Sequence, residues 1–261
     1  MIRSGHTLAT LLAASACGGP PAPAAQGTAP AAPPTDPHAD HHAGHHAGHH
    51  AGHHAGHQGH HTDPHAGPAS EMPHRFEDAD EWVKNLENPE RDAWQQPDRV
   101  ISALALAPSQ VIADVGAGTG YFAVRLARAV PTGQVIATDV EPDMIRFMTE
   151  RARRESLTNL RAVQTPPDSP ELAKASVDRV LIVNVWHHLG DRAAYARKLA
   201  EALRPGGLIA VVDFKLDAKH GPPPKHRLTH AQIAADFTAA GLQTSLSEVD
   251  LPEQYIVIAR K

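Results

Sequence analysis

Asp114, Gly116, Gly118 and Gly120 are the residues whose spacing speaks most directly of chemistry: a carboxylate followed at every second position by glycine. The apolar run Val111-Ile112-Ala113 leads into Asp114, and a helical pattern opens at Tyr121, so the glycines lie on a loop between a strand and a helix N-terminus. Free backbone N–H groups point out of such a loop, and glycine lets a ligand approach the main chain closely. The chemistry that fits is the binding of a nucleotide-like ligand; a tight turn with no ligand is the plain structural alternative. A dinucleotide fingerprint, G-x-G-x-x-G, needs glycine where Tyr121 stands, so the spacing disfavours a nicotinamide cofactor and the oxidoreductase it would serve.

Further residues with chemical potential follow at the ends of later strand patterns. Asp139 closes Gln134–Asp139, roughly 20 residues after the loop, where a carboxylate can accept both hydroxyl protons of a ribose. Standing before the helical pattern Pro142 to Arg154, it can equally be a helix cap. The apolar strand pattern from Ser176 to Val183 runs into Asn184-Val185-Trp186-His187-His188. Ligands in open α/β sheets bind beyond the carboxyl ends of strands, so Asn184 to His188 would face one there. His187 or His188 could take a proton from a substrate O–H or N–H as a general base, or make a structural hydrogen bond to a neighbouring loop. His226 and Arg227, in the loop Lys215 to Leu228, either hold an anionic substrate or belong to a solvated loop.

The elements that must position these groups alternate strand with helix. Leu160–Gln164 reads as a third strand, and Leu208–Phe214 as a fifth after a helix from Arg192 to Leu203 that Arg204-Pro205-Gly206-Gly207 ends as a glycine turn. Thr229 caps a helix running to Ala240 and closed by Gly241. Leu242–Val249 and Tyr255–Arg260 supply two last strands around a turn at Leu251-Pro252-Glu253. Upstream, Asn88-Pro89-Glu90 looks like a turn into a helix, and Pro97 starts another through Leu104 and Leu106 that Pro108 ends. Trp82 and Trp94 in this region are either part of a lid over the ligand site or a hydrophobic seal on the first helix.

The D-x-G-x-G-x-G loop, Asp139, the Asn184 to Leu189 stretch and Leu203-Arg204-Pro205-Gly206-Gly207 together resemble the motifs of class I S-adenosylmethionine (SAM)-dependent methyltransferases, over about residues 98–261. The resemblance implies a Rossmann-like doubly wound seven-stranded sheet with an antiparallel last strand, SAM as cofactor, and methyl transfer to a small molecule. It implies that Asp114 organises the methionine end of SAM, with Gly116, Gly118 and Gly120 against the cofactor, Asp139 on the ribose, and Asn184 lining the place where methyl and nucleophile meet. Members of this family usually carry an acidic residue beyond the third strand, against the adenine amino group. Asp168 comes after Thr165-Pro166-Pro167, so it fills that role or caps a short helical turn at Pro170 to Lys174. Arsenite methylation is disfavoured, because it uses several cysteines and Cys17 is the only one in the chain.

Before the domain the composition changes. The chain carries 24 Lys+Arg against 29 Asp+Glu, a formal charge of −5, which gives no basic excess to hold a phosphate backbone and disfavours nucleic acid as partner. Residues 1–17 are weakly positive, then small and apolar, and end at Cys17; the segment is too short to span a bilayer and resembles a bacterial lipoprotein signal. Export with lipid anchoring through Cys17 is the leading expectation, with export by ordinary cleavage and an unprocessed cytoplasmic start as the alternatives. Residues 18–70 read as a disordered Pro/Ala and His-rich linker. Of the 20 histidines, 13 fall between His38 and His65, and His-His-Ala-Gly repeats four times, placing His41, His42, His45, His46, His49, His50, His53 and His54 in pairs. Neutral imidazoles in this density suit zinc, nickel or copper, or are a soluble tether produced by repeat slippage. Residues 71–108 would form a helical lid and 109–261 the methyltransferase domain. A lipid-anchored metal carrier with a non-catalytic methyltransferase-like domain is the competing class, because an exported enzyme would be separated from cytoplasmic SAM.

Overall fold

The computed structural model describes residues 83, 84 and 86–261. Cys17, the histidine pairs and Trp82 lie outside the described residues. Strands β1 (Val111–Val115), β2 (Gln134–Asp139), β3 (Leu160–Gln164), β4 (Val177–Val183), β5 (Leu203–Phe214), β6 (Gln243–Leu246) and β7 (Gln254–Arg260) form one seven-stranded sheet in the order β3-β2-β1-β4-β5-β7-β6. Neighbours among the first five strands pair in parallel, and β7 runs antiparallel to both β5 and β6. The expected fold is the observed one: a Rossmann-like doubly wound sheet ending in an antiparallel strand.

The parallel strands are apolar on both faces because helices cover both faces. Ile112 faces a layer with Phe122, Leu126 and Val130, and Ala113 the opposite layer with Trp186, Leu199 and Phe237. Helices α1 (Arg91–Gln95), α2 (Pro97–Ser102), α3 (Tyr121–Ala129), α4 (Pro142–Arg154), α5 (Arg192–Ala202) and α6 (His230–Ala239) supply the rest. In α3 the apolar positions recur at helical spacing, which buries Phe122 and Leu126 on the sheet. Helix α6 opens with the capping box of Thr229 and Gln232 and closes before Gly241, which takes φ +84°. Strand β1 lies between β2 and β4, so the crossovers leave it in opposite directions and open a crevice at its carboxyl end.

Three local expectations fail. Helix α2 stops at Ser102 instead of reaching Pro108: the Leu104 carbonyl is taken by Arg179 Nε of β4 at 2.8 Å, and Ala105 turns to φ +47°. No helical turn forms at 170–174, where Pro166, Pro167 and Pro170 remove successive backbone donors. Gly206 and Gly207 do not close α5. That helix ends at Ala202, Lys261 Nζ caps it by donating to the carbonyls of Ala200 and Leu203, and Arg204 to Gly207 bulge out of β5, whose register with β4 shifts between Val177 and Arg179.

Candidate functional site

At the carboxyl end of β1 the chain turns through Gly116, Gly118 and Gly120 at φ +70°, +56° and +85°. All three lie in the left-handed region that favours glycine, and at Gly116 a Cβ would stand 2.4 Å from Val185 Cγ2. The Gly116 and Ala117 N–H groups donate to the Thr138 carbonyl at 2.8 and 2.9 Å, tying the loop to β2. Asp139 braces the loop from its other side. Its Oδ2 accepts the Gly118 N–H at 2.8 Å and its Oδ1 the Glu141 N–H at 3.0 Å, so one carboxylate holds the glycine loop and the turn into α4 together. Burial pushes the Asp139 pKa up, against those N–H groups. With the Gly118, Val140 and Glu141 N–H groups against it, the carboxylate's lone pairs still leave room for a further donor.

Asp114 is 3% exposed, and its Oδ2 has no partner; among the described residues only Thr138 Oγ1 shares that condition. Burial first, then the neighbouring Asp139 carboxylate, push the Asp114 pKa up to about 7, with the Arg91 guanidinium and the Ala123 N–H pulling the other way. A sealed, bare carboxylate oxygen costs free energy unless a cation or proton meets it. A glycine loop that lets a ligand reach the main chain, a carboxylate with spare acceptors, and a bare oxygen that calls for a cation fit a SAM-type ligand: adenosine at one end, amino acid at the other.

Beyond β4, Asn184 takes φ +60° and a 3₁₀ turn carries Trp186 to His188. His187 is buried and its Nδ1 lies 2.9 and 3.0 Å from the two oxygens of Asp213, near the end of β5. Asp213 also accepts the Phe214 N–H at 2.8 Å and is fully buried. His188 is exposed, its ring 4.3 Å from that of His187. Asp213 was not visible as a functional residue in the sequence; the signal was a lone acid inside Val211-Val212-Asp213-Phe214, which no strand face alone explains. Asp168 leaves 82% of its side chain exposed and stands 3.8 Å from Lys198 of α5. Arg227 does not offer its guanidinium to an anion. It donates to the carbonyls of Pro222, Lys215, Leu216, Ala218 and His220, folding the loop after β5 onto itself.

The segment before α2 packs against both parts of the site. Among the described residues, Leu86 Cδ1 is the only atom within 4 Å of where a Gly118 Cβ would stand, at 3.6 Å, apart from the glycine and its chain neighbours. Glu87 accepts from Thr119 Oγ1 and from Arg151 Nη1, each at 2.6 Å. The guanidinium of Arg91 lies 3.9 Å from the Tyr121 ring centre and that of Arg125 4.0 Å, while the Tyr121 hydroxyl donates to Asp92. Trp94 of α1 packs on buried Phe214, ring centres 5.8 Å apart, and stacks on His220 of the loop after β5 at 5.1 Å.

This sheet order, with an antiparallel last strand and a glycine loop after β1, is that of the Rossmann-like methyltransferase fold. Residues 112–207 match the family model described as a methyltransferase domain. An uncharacterized methyltransferase of Mycobacterium tuberculosis is 32% identical over 118 residues, which are 45% of this chain and 57% of that protein. The 27-O-demethylrifamycin SV methyltransferase of Amycolatopsis mediterranei is 32% identical over 121 residues, 46% of this chain and 44% of its own. The chain thus spans about half the length of these relatives. A SAM-dependent methyltransferase from Aquifex aeolicus, known from its crystal structure, superposes with a TM-score of 0.65 at 24% identity, covering 70% of this chain and 98% of that one.

Proposed function

We propose that the chain is a SAM-dependent methyltransferase acting on a small molecule whose nucleophile carries a proton, an O–H or N–H. The observation that carries the cofactor is the bare, buried Asp114 Oδ2 opening a glycine loop that Asp139 braces. Asp114 would hold the ammonium, Gly116, Gly118 and Gly120 the close main-chain contacts, Asp139 the ribose and Asn184 the amino-acid end. When bound, SAM supplies an electrophilic methyl on a sulfonium, so the residues' task is to align the nucleophile, exclude water and remove one proton. His187 suits the last step. An ionised Asp213 only accepts, which places the proton on Nδ1 and leaves the Nε2 lone pair free to take the acceptor's proton. The same arrangement favours a protonated O or N nucleophile over one already anionic.

The test is calorimetric titration of the full chain with SAM and S-adenosylhomocysteine, with NADH as control. Micromolar binding of both sulfur ligands and none of NADH is expected; no binding by a folded chain would remove the cofactor reading, and stoichiometric NADH binding would replace it with a nicotinamide enzyme. A second proposal rests on sequence alone: the paired histidines from His41 to His54 bind Zn, Ni or Cu, and Cys17 carries a lipid anchor. Equilibrium dialysis of the chain with and without residues 38–65 reads the first, and mass spectrometry of the N-terminal peptide with membrane fractionation the second. An unmodified Cys17 in a soluble fraction would sink the anchor.

A further inference from the structure

Beside the glycine loop and the His187–Asp213 pair, a set of buried amides stands in single file. Arg91 Nε donates to Gln95 Oε1 at 3.2 Å. Gln95 Nε2 donates to Gln254 Oε1, and Gln254 Nε2 donates to Asn184 Oδ1 at 2.5 Å. Gln95 and Gln254 are both 0% exposed. The carboxamides of Gln95 in α1 and Gln254 in β7, buried and far apart in sequence, cost free energy unless paired, and here both ends of each are.

The file has a direction. A carboxamide can be turned either way about its last bond, but a guanidinium can only donate. Arg91 therefore draws the Gln95 oxygen to itself and sends the Gln95 NH₂ on to Gln254, whose own NH₂ passes to Asn184. Asn184 Oδ1 is thereby occupied, and its Nδ2, which has no partner among the described residues, is turned away from the file. The main chain of Asn184 is pinned as well, its N–H donating to the Val212 carbonyl at 2.9 Å. Its neighbour Val185 touches Gly116, so Asn184 flanks the glycine loop that Asp114 opens. Asn184 adjoins the residue that touches Gly116, and Asp114 stands two residues before it, so an amide donor and a bare carboxylate oxygen border the same loop and match the carboxylate and ammonium of an amino acid.

We infer that Gln254 and Gln95 are positioning residues for the amino-acid end of the cofactor: they turn Asn184 so that Nδ2 donates to that end's carboxylate. This rests on the cofactor reading above. It makes α1, through Gln95 and Arg91, part of the binding site even though neither side chain touches the ligand.

The test compares S-adenosylhomocysteine with 5′-methylthioadenosine, which keeps adenosine and sulfur and lacks the amino-acid end, by calorimetry on the full chain. Gln254→Leu is expected to weaken S-adenosylhomocysteine about tenfold, the scale of one lost hydrogen bond, and to leave 5′-methylthioadenosine within about twofold. Because Gln254 is buried at the start of β7, Gln95→Leu is measured beside it with thermal melts of both, and decides alone if Gln254→Leu does not fold. It is expected to lose affinity for the same ligand in the same selective way. In an Asn184→Ala background, adding Gln254→Leu is expected to change nothing more. Equal weakening of both ligands, unchanged S-adenosylhomocysteine affinity in a folded variant, or additive losses in the double variant would each overturn the inference. A wild-type chain that binds neither ligand overturns the cofactor reading instead, and the inference with it.

Discussion

Replacing Asp114 with Asn should make the protein more stable and less able to bind its ligand, and the two effects should share a pH dependence. Burial holds the Asp114 pKa at about 7, against 3.8 for an unperturbed carboxyl, so the folded state binds its proton more tightly than the unfolded chain does. Stability must then fall as pH rises from about 4 to about 7, and above 7 the whole cost of the sealed charge remains, about 3 pK steps or 4 kcal/mol at most. Asn keeps the shape without the charge. At pH 8 Asp114→Asn should recover a large part of that cost, about 2 kcal/mol or more after allowing for an imperfectly paired amide, which raises Tm by about 4 to 8 °C for a domain of this size. At pH 4 the gain should vanish. Binding runs the other way: S-adenosylhomocysteine needs the carboxylate for its ammonium, so wild-type affinity should climb with pH towards a plateau above 7, while 5′-methylthioadenosine stays flat. Scanning calorimetry at pH 4, 6 and 8, paired with titrations at the same values, measures both. A stability difference that does not change with pH, or an Asp114→Asn variant that binds S-adenosylhomocysteine as the wild type does, would refute the reasoning.

Three other experiments probe the site. Asp139→Ala should weaken SAM by about 1 to 3 kcal/mol in calorimetry, since it removes hydrogen bonds to a charged group and unties Gly118 from β2. Gly116→Ala should destabilise the fold by about 1 to 3 kcal/mol in denaturant melts, and Val185→Ala should restore part of it, because the added Cβ meets Val185 Cγ2 at 2.4 Å on a backbone at φ +70°. Asp213→Asn leaves the His187 tautomer unspecified; methyl transfer should drop about 10²- to 10⁴-fold with S-adenosylhomocysteine affinity unchanged, and equal losses in both would reassign the pair to holding the fold.

What the sequence made legible was the part that repeats along the chain. The periods of Gln134–Asp139, Pro142 to Arg154 and Leu160–Gln164 match the observed elements residue for residue, because each element's burial is decided by its own side chains. The placement of Asp114 and Asp139 in the last residues of β1 and β2 was legible for a related reason: each follows an apolar run whose own side chains decide where the strand lies. Contacts made across the sheet were not. Leu104 loses its helical role to Arg179, which lies 75 residues on, and Lys261 takes over the capping that Gly206 and Gly207 looked suited to do. Asp213 finds His187 from the neighbouring strand, and Gln254 finds Gln95 across 159 residues. Pairings of that reach leave no period in one sequence, so the partners look like isolated polar residues until the strands are laid side by side.

The loop after β5 is held by its own carbonyls. Five of them converge on the single guanidinium of Arg227, and the backbone N–H groups of Lys219 and His220 meet Glu253 at 2.7 and 2.8 Å, so its path is written largely in main-chain atoms. The side chains it displays are therefore free to vary while its outline stays put. Leu216, Asp217 and Lys225, all exposed, can be exchanged one at a time without moving the loop, with Arg227 and Glu253 as the fixed frame.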